Sequence, residues 1–196
     1  AAELFVKRSI CACGLGTQDT ERHGFVMRKV VKFGGSSLAS AEQFKKAGEI
    51  IRRDTERRYV VPSAPGKRFD KDTKVTDMLY GCYAKAEEGK DFKADLKAIK
   101  DRYQEIISGL QLELSLDEEF KTIEKNFKAK AGEDYAASRG EYLNGIIMAH
   151  YLGFEFIDAA SVILFGEGGE FEAEKTNGIL AERLGKIEKA VIPGFY

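Results

Sequence analysis

The sequence predicts an α/β protein built on a largely parallel sheet covered by helices on both faces. Two observations carry that class. Short β-branched or aromatic runs alternate with longer segments whose apolar residues recur every three or four positions, the pattern of βαβ units. The runs also stop abruptly at Gly or Pro, as strands of an open sheet do where the chain turns back over one face. No internal repeat or low-complexity tract interrupts this order.

The first run is "KVVKF" (29–33), a strand closed by Gly34 and Gly35. Ser40 and Gln43 fit a capping box, with Phe44, Ala47, Ile50 and Ile51 on one helical face behind it. "RYVV" (58–61) is the second strand, stopped by Pro62 and followed by the loop "PSAPGKRFDKDT", where Pro65 and Gly66 mark a turn. From Thr73 the pattern is helical: Val75, Met78, Leu79, Cys82, Tyr83 and Ala86 form one stripe that Gly89 ends. A helix marked by Phe92, Leu96, Ile99, Tyr103, Ile106 and Leu110 follows. Another is capped by Ser115 and marked by Leu116, Phe120, Ile123 and Phe127. A helix is expected from near Ser138 to about Tyr151, then strands "FEFI" (154–157) and "VILF" (162–165). Thr176 to Leu184 reads as a short helix and "KAVIPGF" (189–195) as a last strand.

A length of 196 residues favours one domain, with a tail allowed. The 43% hydrophobic and 32% charged content is that of a soluble globular chain. A net charge of -1 leaves no basic excess to displace counterions from a nucleic acid, so that class of partner is excluded. The basic run "IRRDTERR" (51–58) is a solvated helix end and loop. The long apolar stretch 145–166 is broken by His150, Gly153, Glu155 and Asp158, so it reads as helix, turn and strand and no membrane partner is expected. Cys11 and Cys13 lack the further ligands of a structural zinc, and Cys82 falls on an apolar helix face, which fits a reducing cytoplasm. No metal site is expected. Residues 1–26 have neither a continuous apolar segment nor periodicity, and are expected to form an unstructured extension ahead of a domain spanning 27–196.

"KFGGSS" (32–37) carries the chemistry. Two glycines after a strand let backbone N–H groups converge on an anion, and a helix starting shortly afterwards adds its positive end. Lys32 supplies a mobile point charge beside a phosphoryl group. The glycine pair taken alone reads first as a tight turn with a surface lysine, and the spacing is not that of a Walker P-loop. Ser63 closes the second strand at its C-terminal edge, where open parallel sheets bind ligands. Thr76 lies one turn into the next helix, and Lys67 and Arg68 are placed as charges at the lip. Ser138-Arg139-Gly140-Glu141 reads by itself as a capping box. His150 is a satisfied or exposed histidine, Asp158 a turn or cap residue, and "GEGGEFEAE" (166–174) a solvated hairpin or loop.

Four stretches in this order resemble the aspartokinases of the amino acid kinase family: "VVKFGGSSL", "VVPSAPGKRFDKDTKVTDML", "SRGEYLNGIIMAHYL" and "VIPGFY". The resemblance runs from 27 to 196. It implies a three-layer α/β/α sandwich of the carbamate kinase-like type, and transfer of the ATP γ-phosphoryl group to L-aspartate to give 4-phospho-L-aspartate, the entry to lysine, threonine and methionine synthesis. It assigns Lys32, Gly34, Gly35 and Ser36 to ATP, with Lys32 catalytic, and Ser63, Thr76, Ser138 and Glu141 to aspartate. Gly140 would leave room for the ligand, and magnesium would be held mainly by phosphates and water. The parent enzyme would be a homo-oligomer. Related acceptors (glutamate, N-acetylglutamate, a nucleoside monophosphate) and a non-catalytic nucleotide-binding module are the alternatives. The resemblance also implies that the catalytic domain is C-terminally incomplete at Tyr196, without a later glycine-rich segment or the regulatory ACT domains. Little activity of the chain alone and an exposed "AVIPGF" strand edge are therefore expected.

Overall fold

The computed structural model describes residues 28–195. The expected extension at 1–26, and Cys11 and Cys13 with it, lie outside the described residues. Four strands form one parallel sheet: β1 (Lys29–Phe33), β2 (Arg57–Pro62), β3 (Glu155–Phe156) and β4 (Ala190–Val191), in the order β1-β2-β4-β3. Helices α1 (Ala41–Arg52), α2 (Val75–Glu87), α3 (Lys93–Gly109), α4 (Asp117–Lys128), α5 (Glu133–Leu152) and α6 (Ala173–Gly185) connect and cover it.

The two faces are covered unequally. Val31, Phe33, Val60 and Val191 point into the main core, which the apolar stripes of α1 to α5 complete. Tyr59, Ala190 and Ile157 point the other way, into a smaller core under Leu180 and Leu184 of α6. The stripes read from the sequence supply this packing: Leu79, Cys82, Tyr83, Ile99, Tyr103, Ile106, Ile123 and Phe127 are all buried. A fully buried side chain of this kind contributes about 1.5–3 kcal/mol, so helices with weak caps are held by their faces.

Ser40 does cap α1, accepting from the Gln43 amide at 3.5 Å. Ser115 sits one residue too early to be the cap of α4, although its hydroxyl accepts from the Asp117 amide at 3.2 Å. The larger correction concerns α5, which starts at Glu133 and not near Ser138. Gly132 at φ 103 breaks the chain there, and Glu133 and Asp134 place negative charge on the first turn. Ser138 is therefore inside the helix, its hydroxyl donating back to the Tyr135 carbonyl at 2.9 Å. The capping-box reading of Ser138 and Glu141 does not hold.

"FEFI" shortens to two strand residues, and "VILF" is not a strand. Asp158 instead caps a 3-10 turn at Ala159–Ser161, as its turn or cap reading required. Val162 packs into the smaller core, the Leu164 amide donates to the buried Thr176 hydroxyl at 3.0 Å, and Phe165 makes a single antiparallel bridge to Phe171. "KAVIPGF" likewise contributes only Ala190 and Val191, and these lie between β2 and β3, fully buried. The expected exposed edge is thus an interior strand; the sheet edges are β1 and β3. Among the described residues no helix is long and apolar enough to cross a membrane.

Candidate functional site

Parallel strands β1 and β2 end side by side, with the Ser63 amide donating to the Phe33 carbonyl at 2.9 Å. Each then runs into a glycine-containing turn. After β1 a short 3-10 turn spans Gly35–Leu38, with Gly34 as its cap. After β2 the chain continues through Ser63, Ala64, Pro65 and Gly66. The two turns touch back to back: the Gly66 amide donates to the Gly35 carbonyl at 2.8 Å. A Cβ on Gly66 would lie 2.6 Å from the Gly35 carbonyl carbon, and one on Gly35 would lie 2.8 Å from the Ala64 oxygen. Only glycine at both positions lets the backbones approach this closely.

Between these turns, the start of α2 and the middle of α5 lies an open cleft of about 440 Å³. Gly35 and Ser36 form one wall, and Ser63 to Lys67 the second. Lys74 is the N-cap residue of α2, Thr76 comes from its first turn, and Glu141 comes from α5. Five expected residues, Gly35, Ser36, Ser63, Thr76 and Glu141, are thereby brought together from four segments. Gly34 precedes the turn, with open space around the position of a Cβ. Lys32 is exposed at the end of β1, and its charge acts on the Glu141 carboxyl.

Ser138 is not brought to the cleft. It is fully buried and accepts from Arg139 at 2.9 Å. Gly140 also has another role than the one expected. A Cβ there would meet Ala64 at 2.8 Å and Leu79 at 3.3 Å, so it makes room for protein, letting α5 pack against the cleft loop and α2. Arg68 is no free lip charge: it pairs with Asp72 at 2.9 Å and Glu105 at 2.7 Å. Lys67 stays exposed and lines the cleft.

Glu141 is the one carboxylate among the described lining residues. Burial pushes its pKa up. The Gly194 amide, which donates to it at 2.9 Å, the Lys32 charge, the Phe195 amide and the Ser63 hydroxyl work against that rise. A half-buried carboxylate facing a cationic rim is an acceptor for an ammonium group, while the glycine turn and the lysines suit an anion.

Several site residues escaped sequence reading. Lys74 was legible only through its position two residues ahead of Thr76. Asn144, one turn beyond Glu141, donates to the Ser63 carbonyl at 2.6 Å; an amide within "YLNGIIM" was an available signal. Gly194 lies in the quoted stretch "VIPGFY" but was given no site role, and Arg102 comes from a helix face that otherwise reads as apolar and had no local signal. A second, larger groove of about 580 Å³ lies between α3 and α4. Three of its four lysines are matched by carboxylates (Lys100 with Asp117, Lys121 with Glu118, Lys97 with Asp101), and among the described residues no glycine turn faces it.

Residues 27–195 match the model of the amino acid kinase family. Aspartokinase 3 of Bacillus subtilis (strain 168) is 34% identical over 185 residues, covering 86% of this chain and 40% of the relative. The crystal structure of the allosteric aspartate kinase of Clostridium acetobutylicum superposes with a TM-score of 0.82 at 50% identity, over 85% of this chain and 39% of the other. E. coli aspartokinase III in complex with aspartate and ADP shares the fold, with a TM-score of 0.68 at 22% identity over 84% of this chain and 40% of its own. The chain spans about 40% of the length of these relatives.

Proposed function

The chain belongs to the amino acid kinase family, and we propose that within it the protein is an aspartate kinase, moving the γ-phosphoryl group of ATP to the β-carboxylate of L-aspartate. The observation that carries this reading is the joining of a glycine turn, a lysine-rich rim and the single carboxylate Glu141 in one cleft. The 34% and 50% identities to aspartokinases favour aspartate over other acceptors of the family.

Each residue has a role in this reading. Gly34, Gly35 and Ser36 present backbone to the ATP phosphates, and Lys32 stands beside the group in transfer. One positive charge about 4 Å from that group is worth roughly 4 kcal/mol at an effective dielectric near 20. Glu141 receives the α-ammonium of aspartate, and Thr76 and Ser63 fix its orientation. The acceptor carboxylate is already ionised near neutrality, since its pKa is close to 4, so no general base is required. His150, exposed at the end of α5, has no part in the reaction. Catalysis then consists of alignment and charge stabilisation of a loose phosphoryl transition state. One carboxylate does not make a magnesium cage, so the lining residues fit an ion that arrives on the nucleotide, held by phosphate oxygens and water.

Ser138 drops out as a direct contact in this reading, because its hydroxyl is spent within α5. A homo-oligomeric enzyme of the cytoplasm, feeding lysine, threonine and methionine synthesis, completes the proposal; the free thiol of buried Cys82 accords with that compartment. The test is trapping of the acyl phosphate with hydroxylamine, using the protein as it occurs, ATP, and a panel of aspartate, glutamate, N-acetylglutamate and nucleoside monophosphates. Aspartate is expected to give the highest rate. Equal or faster turnover of another acceptor overturns the assignment, and ATP binding without turnover of any acceptor favours a non-catalytic module.

A further inference from the structure

Arg102 of α3 is the only charged residue among the described ones that is nearly fully buried, at 4% exposure. It lines no part of the cleft, yet its guanidinium reaches three segments that build it. One nitrogen donates to Asp72 at 2.7 Å; the other donates to the Gly66 carbonyl at 2.7 Å and to the Ala39 carbonyl at 3.3 Å. Ala39 follows the glycine turn, Gly66 is the contact point of the second wall, and Asp72 closes the loop that leads into Lys74 and Thr76. Arg68 reinforces the same loop from its own side, pairing with Asp72 and with Glu105, one turn along α3 from Arg102.

We propose that Arg102 is a positioning residue, which sets the separation and register of the two cleft walls through Gly66, Ala39 and Asp72. The inference rests on the aspartate kinase reading for its kinetic arm. The physical argument is that a buried ion pair is a poor source of net stability, because desolvation offsets most of its attraction. Its planar fork, in contrast, is well suited to fixing several acceptors at once. Here Gly66 lines the cleft itself, while Ala39 follows its glycine turn and Asp72 precedes Lys74 and Thr76 along the chain. The Asp72 carboxyl, held far below the usual carboxylate range by Arg68 and Arg102, stays ionised and keeps the fork loaded.

Removing Arg102 alone would leave the largely buried Asp72 carboxylate with Arg68 as its remaining partner, so the informative variant is the double substitution Asp72→Asn with Arg102→Met, studied beside Arg102→Lys. Melting temperature, amide exchange over residues 35–39 and 64–74, and KM for both substrates are measured. The double variant is expected to keep a cooperative melt while the amides of 64–74 exchange about tenfold faster and those of 35–39 change less. Its KM for aspartate should rise about tenfold, with KM for ATP changing less than about threefold, since the second wall moves while the glycine turn stays anchored on β1. Arg102→Lys should recover only part of this, because an ammonium cannot span three acceptors. A merely structural role would reduce the amount of active protein and leave both KM values unchanged. That outcome, or unchanged exchange at 64–74, overturns the inference. If the wild-type protein fails to phosphorylate aspartate, the functional reading falls and the exchange result still decides the role of Arg102.

Discussion

Gly66→Ala probes the back-to-back contact on which the cleft depends. The added Cβ would sit 2.6 Å from the Gly35 carbonyl carbon, 2.8 Å from the Ser36 nitrogen and 2.9 Å from the Gly35 oxygen. All three are backbone atoms, so no side chain can swing away. An ordinary carbon contact is about 3.5 Å or more, so the turns must separate by roughly 0.8–1 Å. That movement also breaks the Gly66 to Gly35 hydrogen bond, now 2.8 Å long. Overpacking of this kind costs about 1–3 kcal/mol and the lost hydrogen bond about 1 kcal/mol more. For a protein of this size each kcal/mol lowers the melting temperature by roughly 2–4 °C, so a fall of about 4–16 °C is expected in a thermal scan. A displacement near 1 Å at a phosphoryl-transfer site should also cut turnover about 100-fold in the hydroxylamine assay. Gly34→Ala is the internal control: nothing lies within 4 Å of its Cβ position, and its φ of -76 suits any residue. It should melt at or slightly above the wild-type temperature. Wild-type melting and turnover in Gly66→Ala, or an equal fall in melting temperature in Gly34→Ala, would refute the argument from close contact.

Lys32→Met should lower kcat about 100-fold without shifting the melting temperature, since Lys32 is exposed, and Lys32→Arg should not restore it fully; near-normal turnover of the Met variant returns Lys32 to an ordinary surface residue. Glu141→Gln separates function from stability. Burial raises the Glu141 pKa above its ordinary value of 4.5, so its contribution to stability is present at low pH and lost as pH rises through the folded value. The Gln variant should therefore be at least as stable as wild type at pH 7, with KM for aspartate raised about tenfold or more and ATP affinity unchanged; unaltered aspartate kinetics would sink the role of Glu141. Asp72 has the opposite sign. Arg68 and Arg102 depress its pKa, so its contribution is complete above the unfolded value of about 3.9 and is lost only as pH falls below it. Asp72→Asn should be destabilised at pH 7 and show a flatter acid limb below about pH 4 in pH-dependent denaturation; a parallel loss of stability in both proteins across that range would refute the pairing.

Local chemistry made much of this molecule legible. The β-branched run at 29–33, the glycine pair behind it and the apolar stripes of α1 to α4 follow from periodicity, and the structure keeps all of them. The errors cluster where two backbones compete for one apolar run. "VILF" has strand composition, but its Val162 fills the small core beneath α6 and its amides find the Ala159 carbonyl and the Thr176 hydroxyl instead of a strand partner. The start of α5 was misplaced because Ser138 and Glu141 have capping-box spacing, whereas Gly132 with the acids after it marks the real beginning.

The sequence by itself determined the class of the fold and the strand-turn-helix unit around Lys32, because those depend on hydrophobic period and on what glycine permits within a few positions. Thr76 and Glu141 were pointed to only by the resemblance of their stretches to aspartokinases. Only the tertiary structure decided that β4 lies inside the sheet, that Ser138 is spent within its helix while Glu141 reaches the cleft, and that Gly140 yields space to Ala64. It alone disclosed the grip of Arg102 on two turns that lie 63 and 36 residues away along the chain. Contacts of that separation carry no local signature: their energy comes from burial and from matching of charges that the fold must first bring together.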